Sequence, residues 1–572
     1  MEQENPENQP TPEHCTGSHA RNGITACILF IGFLGLYHLN GGYLPGRDAT
    51  GNVYLPVSVL RQGNLSFTPD EMPFMFSWEL ESDAGRQVVS FHSWDQKARD
   101  GRTFGELRDA GKLRVLEGGY FLIESVDPES RGYTNTFGPG AGLTALPFSA
   151  AWSMWTGRVA DDPVTIWYGG KFVASFCVAL SVVAVFGTLL PLIGRRPALL
   201  IAVAYGAGTC VWSLSSQTLW QSTPALMFLA LAAFCLVRVR LNAWWAAACG
   251  LFAACAVICR PTEAVMVVAI GAYLAIVAWQ QWRDRSRPRP LAKAALPLLL
   301  YVLAGLPLAV WLGYYNWHYL GSPLAFGQAE AGKHLAELKT GTPNPWQGSL
   351  PVGFCGLMAS PSRGMAVYSP ILLLAFWGAV RLWRQPGLSA LRPVSITAAV
   401  LLLISSCWYD WYGGWSFGYR LVVDLVPLWA ICGAGVVGVI QKSKPLLALF
   451  AVLLVWSVGV QVIGAYAYNG VQWNCRPAYL IASANEGKPR LTLDADVAKH
   501  AARQQGAKIK VVYLDVDRKA NRHRLWSLRD NQLLYYVTHF AEARQMKKRI
   551  VSRSLQPAVI FRHPQPAAPA DR

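Results

Sequence analysis

Charged residues are scarce in this sequence of 572 residues: Asp, Glu, Lys and Arg make up only 15% of it, and 52% is hydrophobic. Soluble proteins carry about 25% charged residues. The scarcity of charge excludes an ordinary soluble protein. Repeated apolar runs, each of about 18–25 residues, indicate a polytopic membrane protein instead.

Motifs for metal binding are also missing. No pair among the 12 cysteines has CxxC spacing, and no His/Cys cluster has zinc-site spacing. No cofactor is evident, and a requirement for a divalent metal stays open. Cys355 and Cys475 lie in segments outside the apolar runs, where a disulfide between them is one alternative. The first apolar run lacks a small-residue cleavage site, so we expect it to remain as an anchor.

The apolar runs predict an α-helical polytopic membrane protein with about eleven transmembrane helices. The expected spans are 22–40, 168–193, 197–214, 221–239, 243–259, 262–281, 293–314, 365–383, 391–408, 419–440 and 445–467. Residues 1–21 are expected to be disordered, and residues 22–468 to form the transmembrane domain. Residues 469–572 are expected to form a small α+β segment beyond the last span.

Basic residues predict the orientation. Short turns on the side of the N-terminus carry Arg195-Arg196, Arg238–Arg240, Arg283–Arg289, Arg381–Arg384 and Lys442–Lys444, whereas the opposite turns are mostly rich in Trp, Tyr, Asn and Gly. Short cytoplasmic loops are enriched in Lys and Arg. We therefore expect an integral protein of a bacterial inner membrane, with the N-terminus in the cytoplasm and the C-terminal segment extracytoplasmic. The net charge of +17 is partly this topology signal and does not indicate nucleic-acid binding.

Two outer loops, 41–165 and 315–364, are too long to be simple connectors. In the first loop, local patterns predict an interfacial helix over Val53–Leu60 anchored by Tyr54, a strand over Gly118–Ser125 and a Gly/Pro-broken return to the membrane over Tyr133–Pro147. In the C-terminal segment they predict a strand over Ile509–Asp515 and a helix over Asp530–Ser552.

A lone acidic residue, Asp48, follows the first span and is the strongest catalytic candidate. A carboxylate at a membrane surface is suited to take a proton from an acceptor hydroxyl as a general base. The alternative is that Asp48 caps a helix beginning at Ala49 or Thr50, because Asp is a favoured N-cap residue. Three further carboxylates, expected to be solvated, are Glu79, Glu81 and Asp83.

Two arginines on the same side as Asp48 are candidates for binding a phosphate. Arg420 begins the tenth span, where a guanidinium is costly unless it meets an anion, and phosphate accepts two parallel hydrogen bonds from it. The alternative is an i,i+4 pair of Arg420 with Asp424. Arg363 precedes the eighth span and invites the same interpretation as Arg420. Arg260 is expected to be structural and joined to Glu263.

Four residues are weaker candidates for substrate contact: Tyr54, His318, Asp410 and Trp415. Asp410 and Trp415 belong to an aromatic turn, Trp408–Arg420, whose ring faces suit stacking on a sugar. Aromatic residues are also common at membrane interfaces without any ligand, so a purely interfacial role is the alternative.

Several stretches, taken in order, resemble the GT-C superfamily of integral-membrane glycosyltransferases. They are Arg47-Asp48, Phe137–Pro147, Thr218–Ser222, Ile258–Thr262, Asn316 with Ser322-Pro323, Ser360–Pro370 and Asp410–Arg420. The pattern covers roughly residues 20–470 and is most similar to bacterial relatives of the protein O-mannosyltransferases of the cell envelope. No internal repeat is visible.

The resemblance implies inverting transfer of a sugar from a polyprenyl-phosphate donor to a hydroxyl of a glycan, lipid or protein acceptor. It assigns Asp48 as base and places later arginines, here Arg420 and Arg363, on the donor phosphate. The family often has two adjacent acidic residues in the first loop, whereas Arg47 precedes Asp48 here, and no Asp-x-Asp metal pair is present. The alternatives are a transporter or lipid flippase, and a non-catalytic scaffold or sensor.

Overall fold

The computed structural model describes residues 12–82, 85–98, 100–126, 132–284, 290–482, 490–492, 500 and 508–554. Asp83, the basic stretch 285–289 and residues 1–11 lie outside the described residues. The first helix begins at Pro12, so the prediction of disorder is wrong for residues 12–21.

Most of the described chain is helical. The helices up to residue 320 are α1 Pro12–His38, α2 Thr50–Gln62, α3 Phe104–Asp109, α4 Gly140–Thr156, α5 Pro163–Ile193, α6 Arg195–Gly208, α7 Ser222–Leu236, α8 Trp244–Cys259, α9 Ala264–Arg283 and α10 Leu291–Leu320. The later helices are α11 Gly327–Thr340, α12 Leu350–Ala359, α13 Met365–Tyr368, α14 Leu372–Leu382, α15 Arg392–Ser406, α16 Val426–Cys432, α17 Ala434–Lys442, α18 Lys444–Ala467, α19 Gln532–Thr538 and α20 Phe540–Ser554.

All eleven expected spans overlap helices, but not all of these helices are long enough to cross a bilayer. Among the described residues, six are long and apolar enough; they lie in Ala20–His38, Pro163–Ile193, Pro261–Arg283, Leu291–Leu320, Pro386–Ser406 and Lys444–Ala467. A seventh span arises if Arg420–Cys432 and Ala434–Lys442, bent by 52°, are counted together. The chain is thus a mostly helical membrane protein with six or seven candidate spans, and the count of eleven stays a prediction.

Close helix contacts in the membrane domain depend on small residues. In the α8–α10 contact, a side chain at Gly250 would overlap the backbone carbonyl of Tyr301. Glycine at this position lets the two backbones approach, which is how helices commonly pack in membranes.

The first long loop contains two small antiparallel sheets. Its strands are β1 Ser66–Phe67, β2 Phe76–Ser82, β3 Gly85–Val89, β4 Leu113–Gly118, β5 Leu122–Glu124 and β6 Tyr133–Asn135, arranged as β1-β6-β5 and β3-β2-β4. The strand expected over Gly118–Ser125 is interrupted by a turn at Gly119–Phe121, between β4 and β5. The predicted helix at Val53–Leu60 is confirmed as part of α2, but Tyr54 is only 4% exposed, so it is a core residue and not an interfacial anchor.

The segment after α18 contains the strands β7 Cys475–Ala482, β8 Arg490–Thr492 and β9 Lys508–Asp515, in the antiparallel order β8-β7-β9. We call its described residues, 469–482, 490–492, 500 and 508–554, the cap. The predicted strand over Ile509–Asp515 is confirmed, and the predicted terminal helix is present but broken at His539 into α19 and α20. Cys355 and Cys475 are both free, so the disulfide that the sequence left open between them is not formed in this structure.

Helix α20 docks on the ends of α18 and α1. Lys547 is buried and donates to the carbonyl of Ala465 at 2.6 Å, while a side chain at Gly42 would lie 3.9 Å from Val551. The Nζ of another buried lysine, Lys171, lies in the same region on the carbonyl of Tyr37 at 2.8 Å. Two buried amines therefore meet at this interface.

Burial lowers the pKa of Lys547 to about 7. Between this value and the ordinary lysine pKa near 10, the undocked helix binds a proton that the docked helix has lost. Docking therefore strengthens as pH rises through this window, by at most about 1.4 kcal/mol per unit. We expect amide exchange of α20 to slow from pH 7 to pH 10 relative to an unstructured peptide, and Lys547→Met to remove the dependence. An equal pH dependence in Lys547→Met would contradict this account.

Candidate functional site

Asp48 lies in a short turn that leads into α2. After α1 the chain is fixed by a hydrogen bond from the amide of Leu44 to the carbonyl of Gln217 at 2.9 Å, and one 3₁₀ turn, Arg47–Ala49, then precedes α2. Neither this turn nor α2 has a side-chain N-cap hydrogen bond. The alternative that Asp48 merely caps a helix is therefore wrong, because its carboxylate is directed elsewhere.

The carboxylate of Asp48 forms an ion pair with Arg420, which lies 372 residues later in the chain. Both side chains are 21% exposed, so the pair lies at an accessible surface and not in the core. The structure thus brings together the two strongest candidates from the sequence. It also excludes the alternative pairing of Arg420 with Asp424.

Trp220 orients the guanidinium of Arg420. The centre of the guanidinium lies 4.0 Å from the ring centroid of Trp220, within the range of a cation–π contact. Trp220 is itself held against Gly46, where any side chain would overlap its ring. Gly46, two residues before Asp48, therefore lets the indole of Trp220 approach the backbone. Trp220 thus contacts both the segment that carries Asp48 and the side chain of Arg420.

Tyr120 is a site residue that the sequence did not reveal. It lies in the turn between β4 and β5, and its hydroxyl donates to Oδ1 of Asp48, while Arg420 contacts Oδ2. Although 44% of Tyr120 is exposed, loss of water around its hydroxyl, and then the neighbouring Asp48 carboxylate, raise the pKa of Tyr120 above its ordinary value, so the phenol stays a donor. Each oxygen of Asp48 thus has one charged or polar partner, which fixes the plane of the carboxylate.

Behind the surface pair lies a buried one. Arg260 forms an ion pair with Asp424 and donates to the carbonyl of Leu421 at 3.0 Å; the two side chains are 10% and 0% exposed. Arg260 was expected to be structural, but its ion-pair partner is Asp424 and not Glu263. Because Leu421 follows Arg420 directly, this buried pair fixes the backbone that carries Arg420.

Arg363 does not reach the site, and its assignment to the donor phosphate is wrong. It is fully buried, and it donates to the carbonyls of Ser362, Tyr412 and Gly414 and to Oδ1 of Asn474, at 2.8–3.1 Å. Its hydrogen bonds join the aromatic turn to the cap. Arg363 is therefore a structural residue that has no surface for a ligand in this arrangement.

Gln532 of the cap holds the same aromatic turn. It is fully buried; its amide nitrogen donates to the carbonyl of Ser416 at 2.8 Å, and its oxygen accepts from the amide of Gly418 at 3.4 Å and the hydroxyl of Tyr368 at 3.0 Å. Ser416 and Gly418 precede Arg420 by four and two residues. Through these bonds the cap positions Arg420 without touching it.

We expect Gln532→Ala to lower turnover by about tenfold to a hundredfold and to weaken donor binding, because it displaces Arg420 and a displacement of about 1 Å has effects of that size. The matched control is Asn531→Ala in the same helix. It removes a cap hydrogen bond to Leu534 at 2.8 Å, with a stability loss of about 1 kcal/mol, and does not contact the turn. Steady-state kinetics and thermal unfolding of both variants distinguish loss of positioning at Arg420 from loss of stability. Equal turnover in the two variants would show that Gln532 is only structural.

The other sequence candidates lie apart from the Asp48–Arg420 pair. Asp410 forms an ion pair with Lys339 at 3.3 Å, and Trp415 donates to Oδ1 of Asp515 at 2.9 Å. Lys339 also lies 3.8 Å from Asp517, and burial, followed by the Asp410 carboxylate, raises the pKa of Asp517 to about 6. Asp410 and Trp415 therefore join the turn to α11 and the cap.

Tyr54 and His318 are also placed outside the central cluster. The ring of Tyr54 packs on Phe74, with centroids 4.9 Å apart, in the core of the first loop. His318 stacks on Tyr314 near the end of α10, with centroids 5.9 Å apart. Glu79 lies on β2, 4.0 Å from Arg86. In the part of the chain that the structure describes, no group of three or more His, Cys, Asp or Glu residues is arranged to hold a metal ion.

Comparisons with known proteins find a likeness to solved structures only. No protein-family model and no curated protein matches the chain. Among solved structures it is similar to the crystal structure of ArnT from Cupriavidus metallidurans bound to undecaprenyl phosphate, with 12% sequence identity and a TM-score of 0.40, over 79% of this chain and 70% of that chain. A likeness this distant carries no argument about activity.

Proposed function

We propose that the protein is an inverting glycosyltransferase of the GT-C type. It transfers a sugar from a polyprenyl-phosphate donor to an acceptor hydroxyl at the extracytoplasmic face of the membrane. The observation that carries the proposal is the accessible pair of Asp48 with Arg420, oriented by Tyr120 and Trp220 next to the ends of membrane helices. The ordered motif resemblance over residues 20–470 supports it.

Asp48 and Arg420 have complementary roles in this reaction. Asp48 takes the proton of the acceptor hydroxyl while the oxygen of that hydroxyl attacks the anomeric carbon. The bond from the anomeric carbon to the phosphate oxygen breaks at the same time. The phosphate leaves with the electron pair, and Arg420 stabilises its charge. Since a lipid phosphate is already a good leaving group, positioning and charge stabilisation supply most of the catalysis.

The ion pair also couples donor binding to activation of the base. While Arg420 contacts Asp48, the guanidinium occupies one oxygen of the carboxylate. A donor phosphate competes for the same guanidinium, so its binding frees one oxygen of Asp48 while Tyr120 keeps the other in place. The donor is therefore expected to bind before the acceptor is deprotonated.

The rival function is transport or flipping of a lipid. Transporters place charged residues near the midplane of the membrane, between repeated halves with broken helices. Here the Asp48–Arg420 pair is partly exposed and lies beneath a long first loop, an arrangement that supports an enzyme.

The test is a panel of radiolabelled polyprenyl-phosphate sugars, presented to the purified full chain in lipid nanodiscs. We expect one donor to bind and to be transferred or slowly hydrolysed. Arg420→Gln is expected to weaken donor binding, with Arg420→Lys intermediate because a lysine keeps the charge but not the bidentate geometry. Binding without bond cleavage, together with movement of the donor across the bilayer, would favour the transporter instead.

A further inference from the structure

The segment that follows the last membrane span is strongly basic. Residues 469–572 contain 19 Lys and Arg against 8 Asp and Glu, a net charge of +11 out of +17 for the whole chain. A segment of this length lies outside the rule that depletes Lys and Arg from short extracytoplasmic loops, so its charge is not a topology signal. The charge therefore calls for a physical explanation.

The terminal helix α20 lies at the level where two membrane helices end. Its buried seam consists of Ala543, Lys547 and Val551, at a spacing of four residues. Along this seam the carbonyl of Ala543 accepts from Asn469, Lys547 reaches the carbonyl of Ala465, and Val551 meets Gly42. Helix α20 thus runs from just beyond α18 back along its last turn toward the end of α1.

The exposed side of α20, beside and opposite the seam, is mainly basic, although it also carries Glu542. It presents Arg544, Lys548 and Arg549, and none of these three makes an ion pair with any of the described residues. The guanidinium of Arg544 lies 5.7 Å from the ring of Tyr466, in the last turn of α18. Phe540, Arg544 and Lys548 lie next to one another on this open surface. Tyrosine is a typical interfacial residue, and Tyr466 lies in the last turn of a candidate membrane span, so we place this face at headgroup height.

We propose that this face of α20 is a binding site for the phosphate headgroups of anionic lipids in the leaflet where α1 and α18 end. Cationic side chains beside a membrane span attract anionic headgroups, and each Lys or Arg changes the affinity by about fivefold. The apolar ring of Phe540 and the stems of Arg544 and Lys548 give the site an apolar wall for the glycerol region. The proposal does not depend on the proposed transferase activity.

The test measures binding of dansyl-labelled phosphatidylglycerol to the full chain in neutral detergent, by energy transfer from tryptophan. We expect unlabelled phosphatidylglycerol to displace the probe at least about tenfold more effectively than phosphatidylcholine, and high salt to weaken binding. Arg544→Gln/Lys548→Gln is expected to weaken binding roughly 25-fold, as two independent fivefold steps.

The matched control is Lys508→Gln/Lys510→Gln, which removes two exposed charges from the same cap. These lysines lie on β9 toward the end away from Cys475, so that Lys508 is roughly 23 Å along the strand from Asp515. We expect binding within about twofold of the unmodified protein. If the double variant of α20 fails to fold, Arg549→Gln serves alone, with an expected loss of about fivefold.

Three results would overturn the proposal. The first is an equal loss in the α20 variants and the β9 control, which would reflect net charge alone. The second is equal competition by phosphatidylcholine and phosphatidylglycerol. The third is displacement by excess inorganic phosphate as effective as that by phosphatidylglycerol, which would indicate a site for free phosphate.

Discussion

Replacing Asp48 with Asn is expected to lower sugar transfer by about 10²–10⁴-fold while donor binding is retained, because general base catalysis contributes effects of that size. Asn has nearly the same shape, and its amide oxygen can still accept from Tyr120. It cannot take a proton, and it does not hold Arg420 in an ion pair. Donor affinity is therefore expected to stay the same or to increase, since the phosphate no longer competes with a carboxylate.

The measurement is the turnover number together with the equilibrium dissociation constant of the donor. Glu79→Gln is the matched control, since Glu79 is another carboxylate of the first loop and its near neighbour is Arg86. Full activity in Asp48→Asn would remove Asp48 as the base. A loss of donor binding equal to the loss of turnover would show that Asp48 only shapes the site.

Breaking the buried pair beneath the site is expected to have the second large effect. Arg260→Met leaves Asp424 buried without its cation, and removal of one partner of such a pair costs about 3–5 kcal/mol. Asp424→Leu is expected to cost less, because Glu263 is buried next to the same arginine and offers a second carboxylate.

Thermal unfolding in detergent tests this order, and the double variant Arg260→Met/Asp424→Leu is the control. An apolar pair of similar volume in place of a buried ion pair is often close to neutral. We therefore expect the double variant to be more stable than Arg260→Met. Glu263 loses its neighbouring cation in both variants, so that cost is common to the two. If Asp424→Leu were the less stable single variant, Glu263 would not interact with Arg260 as the structure suggests.

Sequence reasoning located the central pair because membrane topology constrains it. Asp48 follows the first span and Arg420 begins the tenth, so both residues had to lie on one side if the assignment of spans was right. Their contact in the structure is the strongest agreement between the sequence and the fold. This agreement depends only on the side of the membrane that each residue occupies. The number of spans stays a prediction.

The remaining site residues depend on long-range contacts that no local pattern encodes. Tyr120 reaches Asp48 only because the turn between β4 and β5 folds back over the membrane domain. Trp220 lies in one of the stretches that carry the family resemblance, Thr218–Ser222, but nothing in the sequence indicates that it packs against Gly46 and Arg420. A glycine pair before Tyr120 is the one local signal of a turn there.

The error at Arg363 has a specific cause. Its loop lies on the same side as Asp48, as expected, but the cap covers it and takes up its hydrogen bonds. The sequence after residue 469 carries no motif that indicates such docking. Gln532, which holds the turn before Arg420, was missed for the same reason.

The most direct test of the central claim is the anomeric configuration of the sugar released from a ¹³C-labelled polyprenyl-phosphate donor by the purified protein. Nuclear magnetic resonance spectra recorded faster than mutarotation follow both the bond cleavage and its stereochemistry. With Asp48 as a base that activates the acceptor or water, we predict a product of inverted configuration, and no release by Asp48→Asn. A product of retained configuration, or no release from any donor that the protein binds, would contradict the account.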